Sequence, residues 1–437
     1  MATDNERRSK ASAASGTAVK RKAGSASTGK KRPAGANGAA RRPEGAKTRR
    51  PDGTAAKRPD GVKAKRPDGA ARTATSVKKG GAKSAKKKRM RILVFVLELL
   101  FLVIVGVAVW FVLKGSKTEK VNLDEAATTV NDGVQDYYNN ATTSDGLSIG
   151  DKYTQIALFG VDSREGQLSL NTRTDTIIIA SINNETGEVK LCSVFRDTYL
   201  NLSNDTYTKC NAAYASGGPS QAVQMLNMNL DLNIKDYVTV GFRGVVDTVD
   251  ALGGVDIDIH SEEIEHLNNY QTCIAEDLSI GNVTRVSNTG MQTLNGLQAC
   301  AYCRIRYTAG SDFKRTERQR TVVTQLLEEA KKEDIATLTG IATDIFPNVS
   351  TSLDLNEIIQ FASNASHYTV VGSEGFPFEE YRTTGTIGNK GSCVIPTDLT
   401  TNVSKLHEYL FGTENYQPSA VVQECSEKIH SDTAPYL

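Results

Sequence analysis

The feature that most constrains this 437-residue chain is the run ILVFVLELLFLVIVGVAVWFVL, from Ile92 to Leu113. A helix of this length, rising 1.5 Å per residue, crosses a hydrocarbon core of about 30 Å. Only Glu98 carries a charge within the run, and KKKRMR stands immediately before it. The sequence therefore predicts a transmembrane helix over 91–114, which splits the chain into parts that fold in different surroundings. By the positive-inside rule the residues before it are cytoplasmic, and 115–437 lie on the outer face of a cell membrane crossed once. The run starts too far into the chain, and is too long, to read as a cleaved signal peptide. Glu98 is costly inside a bilayer and is expected to snorkel, protonate or find a partner helix.

Charge divides at the same place. Residues 1–91 hold 28 Lys and Arg against 6 Asp and Glu, whereas the whole chain is only +2, so the remainder is strongly acidic. The basic segment has almost no large apolar side chains, so burial cannot offset the entropy of ordering it, and 1–90 reads as a disordered tail. RPEG at Arg42 and RPDG at Arg50, Arg58 and Arg66 recur within it every eight residues, as low-complexity linker material. The tail carries no folded reader and no interleaved aromatics. Attraction to anionic lipid of the bilayer explains its charge more simply than a specific nucleic acid does.

After a polar stalk (115–150), apolar runs alternate with helical patterns. Strands are predicted at Thr154–Phe159, Thr176–Ile182, Val189–Val194, Tyr237–Gly241 and Val255–Ile259. Helices are predicted at Pro219–Leu230, Arg243–Leu252, Gly296–Tyr302 and Thr316–Lys332. A helix near Leu355–Ala365 and a strand near Tyr368–Val371 precede a Gly-rich tail. The alternation predicts an α/β domain with a mixed central sheet packed between helices, with its catalytic part over 151–335 and a C-terminal part or extension over 336–437.

In such folds ligands sit at strand ends, so polar residues abutting apolar strands are the candidates for chemistry. Asp162 and Arg164 follow the first strand, Arg173 and Asp175 precede the second, and Arg196 and Asp197 follow the third. The stretch YCRIRYTAGSDFKRTERQR adds Arg304, Arg306, Asp312, Arg315, Arg318 and Gln319. Arginine predominates, and its planar fork suits phosphate oxygens in pairs, which points to a polyanionic ligand. Asp162 and Asp175 supply hard oxygen donors beside the arginines, suited to Mg²⁺ (or Mn²⁺) completed by phosphate oxygens and water. All five histidines fall outside these clusters and no GxxxxGK[ST] occurs, so a zinc site, a Ser-His-Asp triad and a P-loop mechanism are unsupported. Seven cysteines, all in the outer part, are expected to pair in part as disulfides. The CxxC at Cys300 and Cys303 lacks the second pair that a zinc site needs.

The order of these clusters resembles the LytR-CpsA-Psr family of bacterial envelope proteins. The matching stretches are GVDSR (Gly160 to Arg164), RTDTIIIASIN (Arg173 to Asn183), SVFRDTYL (Ser193 to Leu200), KCNAAYASGG (Lys209 to Gly218), FRGVVDTVDALGGVDIDI (Phe242 to Ile259), LNGLQACAYCRIR (Leu294 to Arg306) and DFKRTERQR (Asp312 to Arg320). The resemblance spans about 154–332. It implies a membrane-anchored, metal-dependent phosphotransferase that moves a glycopolymer, such as teichoic acid or capsule, from a polyprenyl-diphosphate carrier onto peptidoglycan.

It further implies that Asp162 and Asp175 hold the metal, and that Arg173, Asp175, Arg196, Arg306 and Arg315 are catalytic. With the charge reading, Asp197, Arg304, Asp312, Arg318 and Gln319 are candidates to bind substrate, and Arg164 stands open between a ligand and a solvated neighbour. Asp197, Asp175 and Asp312 all stand open as the base for an acceptor hydroxyl. Lys314 stands where the family commonly has Gly, and Cys300 and Cys303 replace ordinary apolar residues. The alternatives from other classes are a non-catalytic protein that binds lipid-linked polymer and a membrane-tethered envelope regulator.

Overall fold

A computed structural model describes residues 122–141, 146–163, 168, 172–308 and 310–437. The expected basic tail and transmembrane segment lie outside these residues. Among those described, no helix is long and apolar enough to cross a membrane.

Twelve strands are described: β1 (Tyr153–Val161), β2 (Thr174–Asn183), β3 (Glu188–Val194), β4 (Tyr199–Asn201), β5 (Tyr207–Lys209), β6 (Asp236–Val240), β7 (Val255–Ile259), β8 (Gly290–Leu294), β9 (Val349–Thr351), β10 (Thr369–Phe376), β11 (Arg382–Thr386) and β12 (Ser392–Pro396). The helices are α1 (Val134–Asn140), α2 (Ile149–Lys152), α3 (Ala212–Leu230), α4 (Phe242–Ala251), α5 (Ser261–Asp277), α6 (Gly296–Tyr302), α7 (Ser311–Ala330), α8 (Ile335–Ile345), α9 (Leu355–Ser363), α10 (Leu399–Phe411) and α11 (Ala420–Thr433).

Six strands form a mixed sheet in the order β10-β3-β2-β1-β6-β9. β1 is antiparallel to β2 and parallel to β6, β2 is antiparallel to β3, and β3 is parallel to β10. These directions bring the exits of β1, β3, β6 and β10 and the entry of β2 to the same end of the sheet. Asp162, Arg173, Asp175, Arg196 and Phe242 therefore gather there, although they are scattered in sequence.

Alternation along the strands gives the sheet two apolar faces. Ala157, Phe159, Ile177, Ile179, Cys192 and Val194 pack with α3, α10 and α11, while Ile156, Ile178, Ala180 and Leu191 pack with Val323 of α7 and Phe361 of α9. A further core joins α4, β7, β8, α5, α6 and α7 around Val249, Ile257, Ile274 and Ala299.

Three expectations are corrected. The stretch read as a polar stalk is folded into the domain, with Ala127, Val134, Tyr138 and Ile149 buried. The region read as a Gly-rich tail carries β11, β12 and two core helices, and β9 and β10 make residues 336–437 both edges of the main sheet. All seven cysteines are free thiols, so no disulfide staples the domain. Two well-filled sheet faces supply the stability that a small domain would draw from cross-links.

Candidate functional site

At the shared end of the sheet, β1 and β2 fall out of register. Gly160 pairs with Thr176 and Val161 with Thr174, which leaves Asp175 as the extra residue of a β-bulge. A bulge re-aims a side chain that strict alternation would send to the other face. Counting back from Ile177 by twos would turn Asp175 toward α3. With the bulge, both Asp175 and Thr176 line a cavity on the α7 side. Gly160 permits this close approach, because a Cβ there would stand 2.8 Å from Thr176 Oγ1 and 2.9 Å from its Cβ.

The cavity, about 300 Å³, lies between the sheet and helices α4, α6 and α7. Its body is apolar, walled by Leu158, Ile178, Val238, Val245, Val323 and Leu326, and its polar end holds Asp175, Arg304, Arg306 and Arg315.

Around that polar end runs a charge network. Arg196 Nη1 donates to Asp175 Oδ1 at 2.7 Å, and Arg196 lies 3.8 Å from Asp197 and 3.5 Å from Asp312. Arg315 Nη2 donates to the Asp175 carbonyl at 2.9 Å, while its Nη1 stands 3.8 Å from the Asp175 carboxylate and 3.5 Å from Asp312. Arg306 Nε is 3.4 Å from Asp312, and Lys209 pairs with Asp197 at 3.1 Å. Burial pulls the Arg315 guanidinium below its ordinary pKa against the carboxylate of Asp312. For Arg196 burial acts the same way, but Asp175 and Asp312 outweigh it and hold the group above its ordinary value.

The network is charged but poorly satisfied. Arg196 Nε, Arg315 Nε, Arg304 Nη1 and both oxygens of Asp312 are buried without a hydrogen-bond partner among the described residues. Buried polar atoms are almost always bonded, so a set of orphans at a cavity mouth marks the place of a polar ligand. Arg304, Arg306, Arg315, Arg196 and Lys209 face Asp175, Asp197 and Asp312, and this cationic surplus suits a doubly charged anion. Arg304 is held for the task by cation–π contacts, 4.5 Å above Phe242 and 5.4 Å above Tyr270.

The structure thus brings together Asp175, Arg196, Asp197, Arg304, Arg306, Asp312 and Arg315. Gln319 joins them on the cavity wall, its Nε2 donating to the Cys303 carbonyl at 3.3 Å. Asp162 and Arg173 are exposed at the facing ends of β1 and β2, and neither side chain takes a partner among the described residues. Arg318 is not brought to the cavity: its Nε donates to buried Glu263 at 2.7 Å, and it ties down Thr308 and the Ile305 carbonyl. Arg164 lies outside the described residues. Lys209, Phe242 and Tyr270 belong to the site but were missed by reasoning on charge at strand ends. Lys209 opens a quoted motif, and Phe242 follows the β6 exit, so both could have been found.

Among the described residues no group of three or more His, Cys, Asp or Glu is placed to hold a metal. The donors fit Mg²⁺ nonetheless. That ion takes one or two carboxylates and completes its shell with phosphate oxygens and water; by donor chemistry Asp162 and Asp175, at the same end of the sheet, would be the two to hold it. Cys300 and Cys303 also line the cavity, but burial pushes both thiols up, Cys300 to about 12, so they stand there as apolar groups.

The model of the LytR_cpsA_psr family matches residues 115–394, further in both directions than the 154–332 expected from motifs. The polyisoprenyl-teichoic acid–peptidoglycan teichoic acid transferase TagU of Oceanobacillus iheyensis is 33% identical over 217 residues, covering 48% of this chain and 62% of that protein. TagV of Bacillus subtilis, which bears the same enzyme name, is 30% identical over 203 residues, covering 45% of this chain and 49% of that protein. The chain thus spans about half to about three fifths of the length of these relatives. The crystal structure of B. subtilis TagV superposes with a TM-score of 0.48 at 26% identity, covering 61% of this chain and 99% of that one.

Proposed function

The chain belongs to the LytR_cpsA_psr family, and on that premise we propose that it transfers a glycopolymer from a polyprenyl-diphosphate carrier to a hydroxyl of peptidoglycan. The observation that carries the proposal is the pairing of an apolar cavity with a mouth where Arg196, Arg304 and Arg315 each keep one buried donor without a partner among the described residues. An isoprenoid chain fits the apolar body between Leu158, Val238, Val323 and Leu326, and its diphosphate then lies at Arg196, Arg304, Arg306 and Arg315. The donor named for TagU and TagV, a polyisoprenyl-linked teichoic acid, has this two-part chemistry.

In the transfer, an acceptor hydroxyl attacks the phosphorus that bears the polymer, and the polyprenyl phosphate leaves. Little covalent chemistry falls to the protein, so positioning and electrostatic stabilisation do most of the work. Arg196 and Arg315, fixed against Asp175, hold the phosphate oxygens, and the buried setting strengthens each contact. Arg306 and Arg304 flank the same oxygens from the loop before α7. Asp162 and Asp175 would hold Mg²⁺, which when bound supplies a Lewis acid for the charge that develops on the leaving phosphate. The apolar run Ile92–Leu113 would keep the domain at the membrane where such a lipid resides.

Transfer of a radiolabelled lipid-linked polymer to peptidoglycan, with the full chain and Mg²⁺, tests the proposal. Asp175→Ala and Arg196→Ala should each lower the rate at least about 100-fold, as losses of transition-state stabilisers do. Turnover unchanged by both substitutions sinks the assignment. Tight lipid binding with no turnover in either Mg²⁺ or Mn²⁺ would instead favour the binding-protein alternative.

A further inference from the structure

The end of the sheet that carries the arginine network holds another cation outside that network. Arg382, the first residue of β11, lays its guanidinium 4.2 Å above the ring of Phe313 and 5.0 Å above that of Phe195. The two rings meet edge to face with centroids 4.7 Å apart. Phe195 directly precedes Arg196 in the chain, and Phe313 directly follows Asp312. One guanidinium therefore rests on the immediate neighbours of two groups that meet in the site.

Arg196 is hydrogen-bonded to Asp175 at 2.7 Å, but its contact with Asp312 is looser. Arg196 and Asp312 stand 3.5 Å apart, and neither oxygen of Asp312 accepts a hydrogen bond among the described residues. That looser contact depends also on what grips the adjoining residues. Phe195 N donates to the Phe376 carbonyl at 3.0 Å, and a Cβ on Gly375 would come within 2.4 Å of the Phe195 ring, so β10 presses the ring from one side. Arg382 lies over the same ring, its Nη1 anchored to the Pro377 carbonyl at 3.1 Å. Nothing else among the described contacts ties Phe195 and Phe313 together through a charge.

We infer that Arg382 is a positioning residue, which clamps Phe195 to Phe313 and so fixes Arg196 against Asp312 at the diphosphate end of the site. The inference rests on the proposed lipid-diphosphate reading for its effect on binding. Planarity matters as well as charge, since a guanidinium stacks on both rings whereas an ammonium meets one as a point charge.

The test uses the full chain with geranylgeranyl diphosphate and Mg²⁺, with affinity read by calorimetry and the thermal midpoint recorded beside it. Arg382→Ala should weaken binding about tenfold, within the range of a desolvated cation–π contact, and Arg382→Lys should fall between it and wild type. Because Arg382 acts through Arg196, the double variant Arg382→Ala/Arg196→Ala should bind no worse than Arg196→Ala alone. Wild-type affinity in Arg382→Ala, or losses that multiply in the double variant, would overturn the inference. Should the wild-type chain fail to bind the probe, the functional reading falls by itself. The clamp is then decided by the ¹⁵Nε–H resonance of Arg196, which Arg382→Ala should shift or broaden and which would stay unchanged if the clamp is wrong.

Discussion

Arg315 and Arg318 stand one turn apart on α7 and are employed differently. Arg315 spans Asp175 and Asp312 at the cavity mouth, whereas Arg318 is locked to Glu263 in the interior. Both were legible in the sequence as phosphate-binding candidates, because an arginine-rich helix start reads the same whichever way its side chains turn. What separates them is Glu263, on α5, a helix the periodic reading passes over. Its buried positions include Glu263, Asn268 and Gln271, so its apolar stripe is broken by polar residues. Glu263→Ala should destabilise the domain by about 3–5 kcal/mol, because it leaves Arg318 buried and uncompensated. Denaturant unfolding of Glu263→Ala checks this, and replacing both partners by Met or Leu should restore most of the loss.

Among the elements, the β1–β2 pair shows how far a motif can be read without its geometry. The strands and the charges at their ends are evident from GVDSR and RTDTIIIASIN, and the structure finds both strands with Asp162, Arg173 and Asp175 at their shared end. The bulge is not evident, because a one-residue slip leaves no mark on hydropathy, yet it turns Asp175 to the arginines. Gly160→Ala tests the arrangement. Its methyl would collide with Thr176, and overpacking of this kind costs about 1–3 kcal/mol. The expected result is a lowered thermal midpoint together with weaker lipid-diphosphate binding, since the strand that must give way is the one carrying Asp175. A variant that loses stability but binds as wild type would show that the bulge does not aim Asp175.

Over the whole molecule, the part that sequence resolved least is the one that finishes the fold. Residues beyond 394 lie past the family match, yet Leu399, Val403, Leu406, Leu410, Val422 and Ile429 are all buried in the main core. At about 1.5–3 kcal/mol for each such side chain, their loss would consume a stability of about 5–15 kcal/mol. A chain stopped after Pro396 should therefore be insoluble or unfolded by circular dichroism. The same region holds a pH-sensitive joint: His407 is stacked on Tyr416 at 3.7 Å, with Nε2 3.0 Å from the Leu230 carbonyl. Burial drives its pKa from 6.5 down to about 3. Between those values the unfolded chain binds the proton and the folded one does not, so stability is lost as pH falls, by about 1.4 kcal/mol per unit. His407→Gln should flatten that slope in unfolding measured from pH 7 to 4. The edge strand β10 carries a consequence for synthesis. Val194 pairs with Phe376, and the grip on Arg196 waits for Phe376, Gly375 and Arg382. A polypeptide emerging from its N-terminus makes the side chains of the candidate site long before the strand that seats them. On the proposed function, a nascent chain that has not yet reached β10 and Arg382 has no seated site and should not engage a lipid diphosphate.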